Sequence, residues 1–383
     1  MGRILFIANS NLSLSDVFLY FKKMGSQVCW GTFEASVRDA LIKAFPRDEI
    51  IFIEDPIDFD PVKPGNKFYY KNPGIAEGGF ISLFRPDAVV TDVSNRLSRV
   101  PKGNEIRVNL FHSFCFKQYV FHESLSNFDL LCLPSFWWKG CFERYGPTRD
   151  IPKVVTGYFK HELIIKRQSR RKALRRALGA HTESSRLVLY APTWGGAGAL
   201  NWGNGVWARW DEGVKYKYLT CLAKSIKELG GHLILKFHHL ATNVDFDYID
   251  GMEGVTLVRD SPTLFADPID LIVAADILIS DVSGMIFEFG ITGKPILTID
   301  PSSPEVWECP SIPRSHLPNA PVGTFGELLD SLRRILEEDH GEFSSRCYST
   351  GFQELIDFDK TEFQPIHNIY SAVRQRLCED KRS

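Results

Sequence analysis

Residues 274–300, AADILISDVSGMIFEFGITGKPILTID, decide the fold of this chain. Ile277–Ser280 is a short apolar run that is typical of a buried strand, and Ile296–Ile299 is a second one. Between them, the turn Asp281–Gly284 opens a segment in which apolar residues recur near helical spacing until Gly293 and Pro295 end it. The pattern predicts strand, tight turn, helix and strand, which is the unit of parallel α/β sheets.

The turn after the first of these strands is a candidate anion site. Ser283 and Gly284 lie where the unpaired N–H groups of a helix N-terminus point outward, and that end of a helix carries partial positive charge. We interpret the turn as a cradle for a diphosphate. An ordinary strand-to-helix loop, in which serine caps the helix, explains the same residues equally well.

Composition indicates a globular protein of two ordinary domains, since the chain has 383 residues, of which 44% are hydrophobic and 24% charged. The net charge of −2, from 45 basic and 47 acidic residues, argues against a nucleic-acid partner. No apolar run approaches the roughly 20 residues that span a bilayer. The N-terminus is typical of a core strand rather than a signal peptide, and the 8 cysteines show no CxxC spacing. We therefore expect a cytoplasmic protein with reduced thiols.

The order of predicted elements defines the fold class. Predicted strands at Arg3–Ala8, Gln27–Trp30 and Ile50–Glu54 alternate with helices, and the pattern begins again at Arg186–Tyr190. The sequence therefore predicts an α/β protein of two doubly wound Rossmann-like domains that face each other across a cleft. We expect domains at residues 1–160 and 161–360, with a helix in residues 361–383 that folds back onto the first.

Four polar residues follow predicted strands, where ligands bind in such folds. They are His112, Thr193, His238 and Ser283. In addition, Thr91–Asn95 (TDVSN) echoes Ser280–Gly284 (SDVSG). The echo suggests two related halves, although four residues are weak evidence of a repeat.

Three motifs of the second half occur in an order and spacing that resemble the CDP-glycerol glycerophosphotransferases, the teichoic-acid primases and polymerases. They are YAPTW at 190–194, KFH at 236–238, and DILISDVS at 276–283 followed by FEF and GKPI. His112 matches the histidine that this family carries after a strand of its first half. The resemblance covers roughly residues 105–300, and the combination is specific although each motif alone is weak.

The resemblance implies a glycosyltransferase-B-like fold and transfer of glycerol phosphate, or a related polyol phosphate, from a CDP-linked donor to a hydroxyl, with release of CMP. The first domain would face the acceptor and the second would bind the donor. Acceptors in the family are lipid-linked glycans or growing polyol-phosphate chains at the cytoplasmic membrane face. Teichoic-acid-type or capsule polymer synthesis for the cell envelope would follow.

Some residues depart from the family pattern. Ser113 stands where the family usually has glycine after the histidine, and Gly284 stands where a second serine is common. His239 replaces the proline that usually follows the second histidine. The Pro-Arg-x-Asp element near the domain junction is replaced by Gly157–His161.

Phosphoryl transfer needs charge neutralisation on the diphosphate and a base for the incoming hydroxyl. His112 is the candidate base, because a near-neutral imidazole accepts a proton at pH 7. His238 would donate to the donor phosphate or to the leaving CMP, and His239 fits this role equally well from sequence. If the family resemblance is set aside, a structural role is the simpler alternative for His112, in which its side chain satisfies backbone groups at the end of the strand.

The remaining candidate site residues would hold the donor. Ser283 and the Gly284 N–H would bind the diphosphate, and Thr193 would contact phosphate or ribose. Lys236 would neutralise charge, and Glu288 would bind the ribose hydroxyls. Each residue also has a structural explanation that involves no donor. Thr193 would be a turn residue, Lys236 would extend from an edge position, and Glu288 would lie on a solvated helix face.

We expect no metal and no cofactor. The Asp-Phe-Asp stretches at Asp58–Asp60, Asp245–Asp247 and Asp357–Asp359 are similar to the metal-binding motif of other glycosyltransferases. None of them follows a clear strand end with further polar support.

Two segments are candidates for a peripheral membrane contact. The first is an aromatic and basic helix around Trp137 and Trp138, and the second is the cationic run Lys166–Arg176. Core aromatics and a solvated cationic helix explain these segments equally well. Trp194, Trp202, Trp207 and Trp210, in a glycine-rich loop, would either stack on a sugar or base or form a packed lid.

Two other functions remain open at the level of sequence. A glycosyltransferase of the same fold would use a nucleotide sugar and release a nucleoside diphosphate. A catalytically silent relative would bind polysaccharide or a membrane partner without chemistry.

Overall fold

The computed structural model of the chain describes most of its residues in separate ranges: 2–8, 14–32, 35–48, 50–52, 84–92, 97, 102–114, 121, 123–180, 182, 185–192, 212–237, 245–258, 268–281, 283–299, 314–320, 322–337, 348–356 and 364–380.

The first sheet has 7 strands, all parallel, in the order β3-β2-β1-β4-β5-β6-β7. Mainly apolar runs form its central strands, which are buried as expected for a sheet covered on both faces. The strands are β1 (Arg3–Ala8), β2 (Gln27–Thr32), β3 (Ile50–Phe52), β4 (Ala88–Thr91), β5 (Ile106–Asn109), β6 (Leu130–Leu133) and β7 (Lys153–Val155).

Helices α1 (Ser15–Lys23), α2 (Ala35–Ala44) and α3 (Phe136–Arg144) belong to this half, with short 3₁₀ segments at Glu123–Asn127 and Gly146–Thr148. α1 buries Phe18 and Phe21, which are three residues apart and therefore share one face. Phe18 stacks on Trp30 with ring centroids 4.4 Å apart. Aromatic packing thus fixes the helix on the sheet.

The second sheet has 5 parallel strands in the order β10-β9-β8-β11-β12. Its strands are β8 (Arg186–Tyr190), β9 (Gly231–Lys236), β10 (Val255–Val258), β11 (Ile277–Ser280) and β12 (Ile296–Thr298). Between α3 and the second sheet lie α4 (Phe159–Lys166), a 3₁₀ turn (Arg167–Arg170) and α5 (Arg171–Ala177). The later helices are α6 (Glu212–Glu228), α7 (Phe246–Asp250), α8 (Pro268–Ala274), α9 (Gly284–Gly290), α10 (Phe325–Glu337), α11 (Thr350–Ile356) and α12 (Pro365–Asp380), with a 3₁₀ segment at Arg314–His316.

The two sheets share a strand order, because each places its third, second, first, fourth and fifth strands side by side. The fourth strands are β4 and β11, and both end in a hydroxyl residue and a buried aspartate: Thr91 with Asp92, and Ser280 with Asp281. The two similar sequence stretches therefore occupy equivalent places. Each lies beside the first strand of its sheet, where the strand order reverses and a crevice for ligands opens.

α4 and α5 connect the halves through buried ion pairs. Arg171 and Arg175 both bind the carboxylate of Asp276, each at 2.5 Å, and Arg167 binds Asp270 at 3.1 Å. These arginines extend from the linker helices to the start of β11 and to α8. Arg167, Arg171 and Arg175, which recur every four residues, therefore face protein. The other cations of the run, Lys166, Arg170, Lys172 and Arg176, are exposed.

α12 packs on the first half of the chain. Tyr370 meets Phe21 of α1 with ring centroids 5.0 Å apart, and the Tyr20 hydroxyl lies 2.8 Å from His367 Nδ1. The Ile366 N–H donates to Glu162 of α4 at 2.8 Å and so satisfies one of the first free N–H groups of the helix.

Candidate active site

His112 follows β5 through an unusual backbone bend. Phe111 is buried and has φ of +57°, in the left-handed region that costs a non-glycine residue roughly 1–3 kcal/mol. Asn109 Oδ1 accepts the Phe111 N–H at 2.7 Å and supports the bend. The bend turns the chain out of the strand, so that His112 lies at the sheet's carboxyl edge.

Asp92, at the end of neighbouring β4, pairs with His112. Its Oδ2 lies 3.3 Å from His112 Nδ1, and its carbonyl accepts the His112 N–H at 2.5 Å. The carboxylate side chain is 1% exposed, whereas the imidazole is 35% exposed. A buried carboxylate that accepts from Nδ1 selects the tautomer in which Nε2 accepts a proton. This is the arrangement of an oriented general base.

Asp92 is a candidate functional residue that our sequence analysis did not select. Its contact with His112 joins two strands across 20 residues of sequence. The signal that pointed to it was the echo between the two strand ends.

The Ser283 turn has the predicted form. Ser283 caps α9, and its hydroxyl oxygen accepts the Met285 N–H at 3.3 Å. This leaves the hydroxyl proton available for an acceptor such as a phosphate oxygen. Ser280 donates to the Ala191 carbonyl at 2.6 Å and holds the end of β11 against the end of β8.

Ser113 and Gly284 bring the two halves of the site together. A β-carbon on Gly284 would overlap Ser113 Oγ and would lie 3.0 Å from Ser113 Cβ. The His112 turn of the first half therefore touches the Ser283 turn of the second. Ser113 and Gly284 are the chain neighbours of His112 and Ser283, so the backbone segments that carry these two side chains lie next to each other.

Glu288 is placed differently from a ribose-binding residue or a solvated helix position. Its carboxylate is buried, accepts from Lys160 Nζ at 2.7 Å, and lies 3.2 Å from the Tyr158 hydroxyl. Lys160 and Tyr158 also reach the His112 carbonyl. This geometry favours a connection between the halves over a contact with the donor.

The other predicted donor-site residues are described in part. Lys236 ends β9, and its buried side chain donates to the Phe237 carbonyl at 2.9 Å. Thr193, His238 and the alternative His239 lie outside the described residues, as do the four tryptophans at 194, 202, 207 and 210.

The aromatic helix α3 corrects one expectation about a membrane contact. Trp138 is 1% exposed and packs among Phe114, Phe142 and Phe287, so it cannot contact a membrane, and that prediction is wrong. Trp137 is half-buried with its ring 5.2 Å from His316, whereas Phe136 is 70% exposed. Within the ranges that the structure describes, no helix is long and apolar enough to cross a membrane.

The acidic stretch at Asp245–Asp247 has a structural explanation, because Asp245 caps α7 and accepts the Tyr248 N–H at 3.0 Å. The stretches at Asp58–Asp60 and Asp357–Asp359 lie outside the described residues. In the described part of the chain, no three His, Cys, Asp or Glu side chains are grouped as metal ligands.

Solved structures with the same fold include two kinds of enzyme. The wall teichoic acid polymerase TagF matches with a TM-score of 0.62 and 15% identity over 100% of this chain and 90% of that chain. The UDP-GlcNAc 2-epimerase from Neisseria meningitidis, bound to UDP-GlcNAc, matches with a TM-score of 0.60 and 13% identity over 98% and 100% of the two chains. The epimerase from Rickettsia bellii is similar, with a TM-score of 0.60 and 15% identity over 100% and 99%. These likenesses confirm the glycosyltransferase-B-like fold.

Among curated proteins, none matches the chain in sequence. The family model described as CDP-glycerol:poly(glycerophosphate) glycerophosphotransferase matches residues 80–349, a stretch that contains both Asp92–His112 and the Ser283 turn. The resemblance noted in the sequence is confirmed, and the chain belongs to the CDP-glycerol:poly(glycerophosphate) glycerophosphotransferase family.

Proposed function

We propose that this chain transfers glycerol phosphate, or a related polyol phosphate, from a CDP-linked donor to a hydroxyl of a glycan or lipid-linked acceptor and releases CMP. The observation that carries the proposal is the meeting of an oriented histidine with the Ser283 turn, inside the stretch matched by the family model. A solved TagF structure was soaked with CDPG, which supports the donor class.

In this mechanism His112 Nε2 takes the proton of the acceptor hydroxyl. The acceptor oxygen forms a bond to the phosphorus of the glycerol phosphate group, and the bond from that phosphorus to the oxygen of CMP breaks. Asp92 stabilises the imidazolium that forms, as a buried carboxylate does for a histidine base. The proton then passes to solvent, and CMP leaves with the bridging oxygen.

The donor would lie on the second half of the chain, which we assign to residues 161–360, and the acceptor would approach from residues 1–160. Ser283 and the Gly284 N–H would hold the diphosphate, with Thr193, Lys236 and His238 as further donor contacts. The cleft position of Ser283 at the carboxyl end of β11 supports this assignment.

The cellular setting follows from the acceptor class. We assign the enzyme to envelope polymer synthesis of the teichoic-acid or capsule type, at the cytoplasmic face of the membrane. The exposed Phe136 ring and the exposed cations Lys166 and Arg170 are the surface groups suited to a peripheral contact.

The test is calorimetric titration of the full chain with CDP-glycerol, CDP-ribitol, CMP, UDP-N-acetylglucosamine and GDP-mannose. We expect a cytidine ligand to bind selectively, and Ser283→Ala to weaken it about tenfold through loss of one charge-assisted hydrogen bond. Ser225→Ala on α6 is the matched control and should bind as wild type.

Two results would contradict the proposal. Preference for a UDP or GDP sugar would make the chain a glycosyltransferase. Absence of binding to every nucleotide ligand would favour the catalytically silent relative.

A further inference from the structure

We propose that Lys160 is a positioning residue that holds the His112 turn in fixed register with the Ser283 turn. The inference rests on the proposed function, in which these two turns carry the base and the diphosphate site. The side chains of Lys160, Tyr158 and Glu288 form one hydrogen-bonded cluster, which we call the Lys160 clamp.

The clamp is built from short contacts to both halves of the site. Lys160 Nζ donates to the His112 carbonyl at 2.6 Å and to Glu288 Oε1 at 2.7 Å. The Tyr158 hydroxyl lies within hydrogen-bonding distance of the same two oxygens, at 2.9 Å and 3.2 Å. One cation and one hydroxyl therefore bridge the backbone of His112 and a side chain of α9.

The clamp is buried, with the side chains of Lys160 and Glu288 each 7% exposed. Burying two charges carries a desolvation penalty, and apolar residues of similar volume often stabilise a core equally well. Stability alone is therefore a poor explanation for an ion pair here. Its contact with the carbonyl of His112 provides a better one.

The neighbouring His161 supports the same docking without adding charge. Its Nε2 lies 3.1 Å from the Phe287 carbonyl, and its ring stacks on Phe287 with centroids 5.0 Å apart. Burial lowers the pKa of His161 to about 3, and the nearby Lys160 charge contributes. His161 is therefore neutral, and Lys160 is the cation that this segment presents to α9.

α9 is held by the His112 turn at two levels. Ser113 packs on Gly284 at its first residue, and Lys160 links His112 to Glu288 one turn later. Two separate contacts on one helix fix both its distance and its rotation relative to the turn. The base and the helix that Ser283 caps then move as one unit.

The functional consequence is geometric. Lys160 acts on the reaction through the backbone of His112. Displacing a base by about 1 Å lowers a rate on the order of 100-fold without altering ground-state affinity. Loss of the clamp should therefore lower kcat and leave donor binding unchanged.

The first experiment compares wild type with Lys160→Met. CMP release is measured with CDP-glycerol and a synthetic lipid-linked glycerol phosphate oligomer, and the Kd of CDP-glycerol by calorimetry. We expect kcat to fall about 100-fold, with the donor Kd within about twofold of wild type. The matched control is Lys102→Met, which removes a half-exposed lysine paired with Asp129 at 2.5 Å, far from the site, and should have wild-type kcat.

A double variant separates positioning from stability. Lys160→Met with Glu288→Met replaces the charged pair by apolar side chains, so the melting temperature should be restored relative to Lys160→Met. Tyr158 still reaches the His112 carbonyl, but neither it nor residue 160 can now link that carbonyl to residue 288. The bridge between His112 and α9 stays broken, and kcat should stay low. Recovery of kcat together with the melting temperature would overturn the inference, because the pair would then serve folding alone.

A spectroscopic readout makes the inference independent of turnover. The ring ¹³Cε1–¹H signal of His112, assigned by its loss in His112→Ala, should shift in Lys160→Met and stay unchanged in Lys102→Met. If wild type releases no CMP from CDP-glycerol, the proposed function fails and this signal decides the inference. An unchanged His112 signal, wild-type kcat, or a rise in donor Kd proportional to the loss of rate would each overturn it.

Discussion

Ser113 Oγ occupies the space that a β-carbon on Gly284 would need. Both residues depart from the pattern that the sequence resembles, and in the fold the two departures are in contact. The hydroxyl of Ser113 lies beside the helix start that Ser283 caps.

This contact predicts strong coupling between the two positions. Gly284→Ala should destabilise the chain by about 1–3 kcal/mol, because the new methyl group overpacks against Ser113. In the Ser113→Gly background only the Phe114 carbonyl stays close, 3.3 Å from the new β-carbon, so the same change should cost much less stability. Urea unfolding of the four variants measures the coupling energy.

The control for that cycle is Gly326→Ala on α10, where the nearest atom to a new β-carbon is 4.0 Å away. Replacing an exposed glycine within a helix by alanine raises the free energy of unfolding by about 0.5–1 kcal/mol. Equal effects of Gly284→Ala with and without Ser113 would show that the contact does not exist in solution.

Asp92→Asn should lower kcat about 100-fold with little change in donor affinity. The asparagine amide donates where the carboxylate accepted, so it favours the wrong tautomer of His112 and cannot stabilise the imidazolium. Asp87→Asn, at the opposite end of the same strand, should leave kcat unchanged. Steady-state CMP release checks both, and wild-type turnover by Asp92→Asn would remove His112 as an oriented base.

The carboxylate of Asp276 should contribute strongly to the stability of the folded chain. Its carboxylate binds Arg171, Arg175 and the Leu187 N–H, at 2.5, 2.5 and 2.9 Å. Burial opposes the ionised form, but these hydrogen bonds and charges together lower its pKa. Asp276→Ala leaves two arginines without their anion and should destabilise the chain by about 3–5 kcal/mol in urea unfolding.

The exposed pair Lys224–Glu228 on α6 provides the contrast, since both side chains are mostly in solvent. Lys224→Ala should change the unfolding free energy very little. Similar losses at the two sites would mean that burial does not distinguish them.

The burial of Lys294 should make the stability of the chain depend on pH. Its ammonium donates to the Ala275 carbonyl at 2.6 Å, yet burial, with the charge of Arg171, lowers its pKa from 10.5 to about 7. Between these values the unfolded chain binds the extra proton, so stability rises with pH. This contribution is complete above about pH 10.5 and is lost as the pH falls towards 7.

The measurement is urea unfolding of wild type and Lys294→Met at pH 7, 8 and 9. Subtracting the unfolding free energy of the variant from that of wild type removes the contributions of other titrating groups. One of these is Cys132, whose pKa is raised by burial to about 12. From pH 7 to 9, wild type should gain roughly 2 kcal/mol of stability relative to the variant. Parallel curves would show that Lys294 has an ordinary pKa.

The sequence predicted the strands around the site well, because short apolar runs bounded by polar turns have few alternatives. Ile277–Ser280 and Arg186–Tyr190 have the predicted bounds. Local pattern also identified the Ser283 turn, since a helix start depends on neighbouring residues.

What the sequence could not supply are contacts between distant residues. Lys160 meets Glu288 across 128 positions, and Asp92 meets His112 across 20. For the same reason the sequence left Trp138 open between a membrane contact and a core position, since an aromatic and basic helix has the same pattern in both. The burial of Trp138 and its packing against distant residues such as Phe287 distinguish the two.

Whether His112 is the base is tested most directly by single-turnover release of CMP from CDP-glycerol by wild type and His112→Ala. The synthetic lipid-linked glycerol phosphate oligomer is present as acceptor, and donor binding is measured on the same samples. We expect CMP release by wild type and a loss of at least about 100-fold in the rate of the variant, at unchanged donor affinity. Equal rates for the two proteins would contradict it, because the transfer would then proceed without His112 as its base.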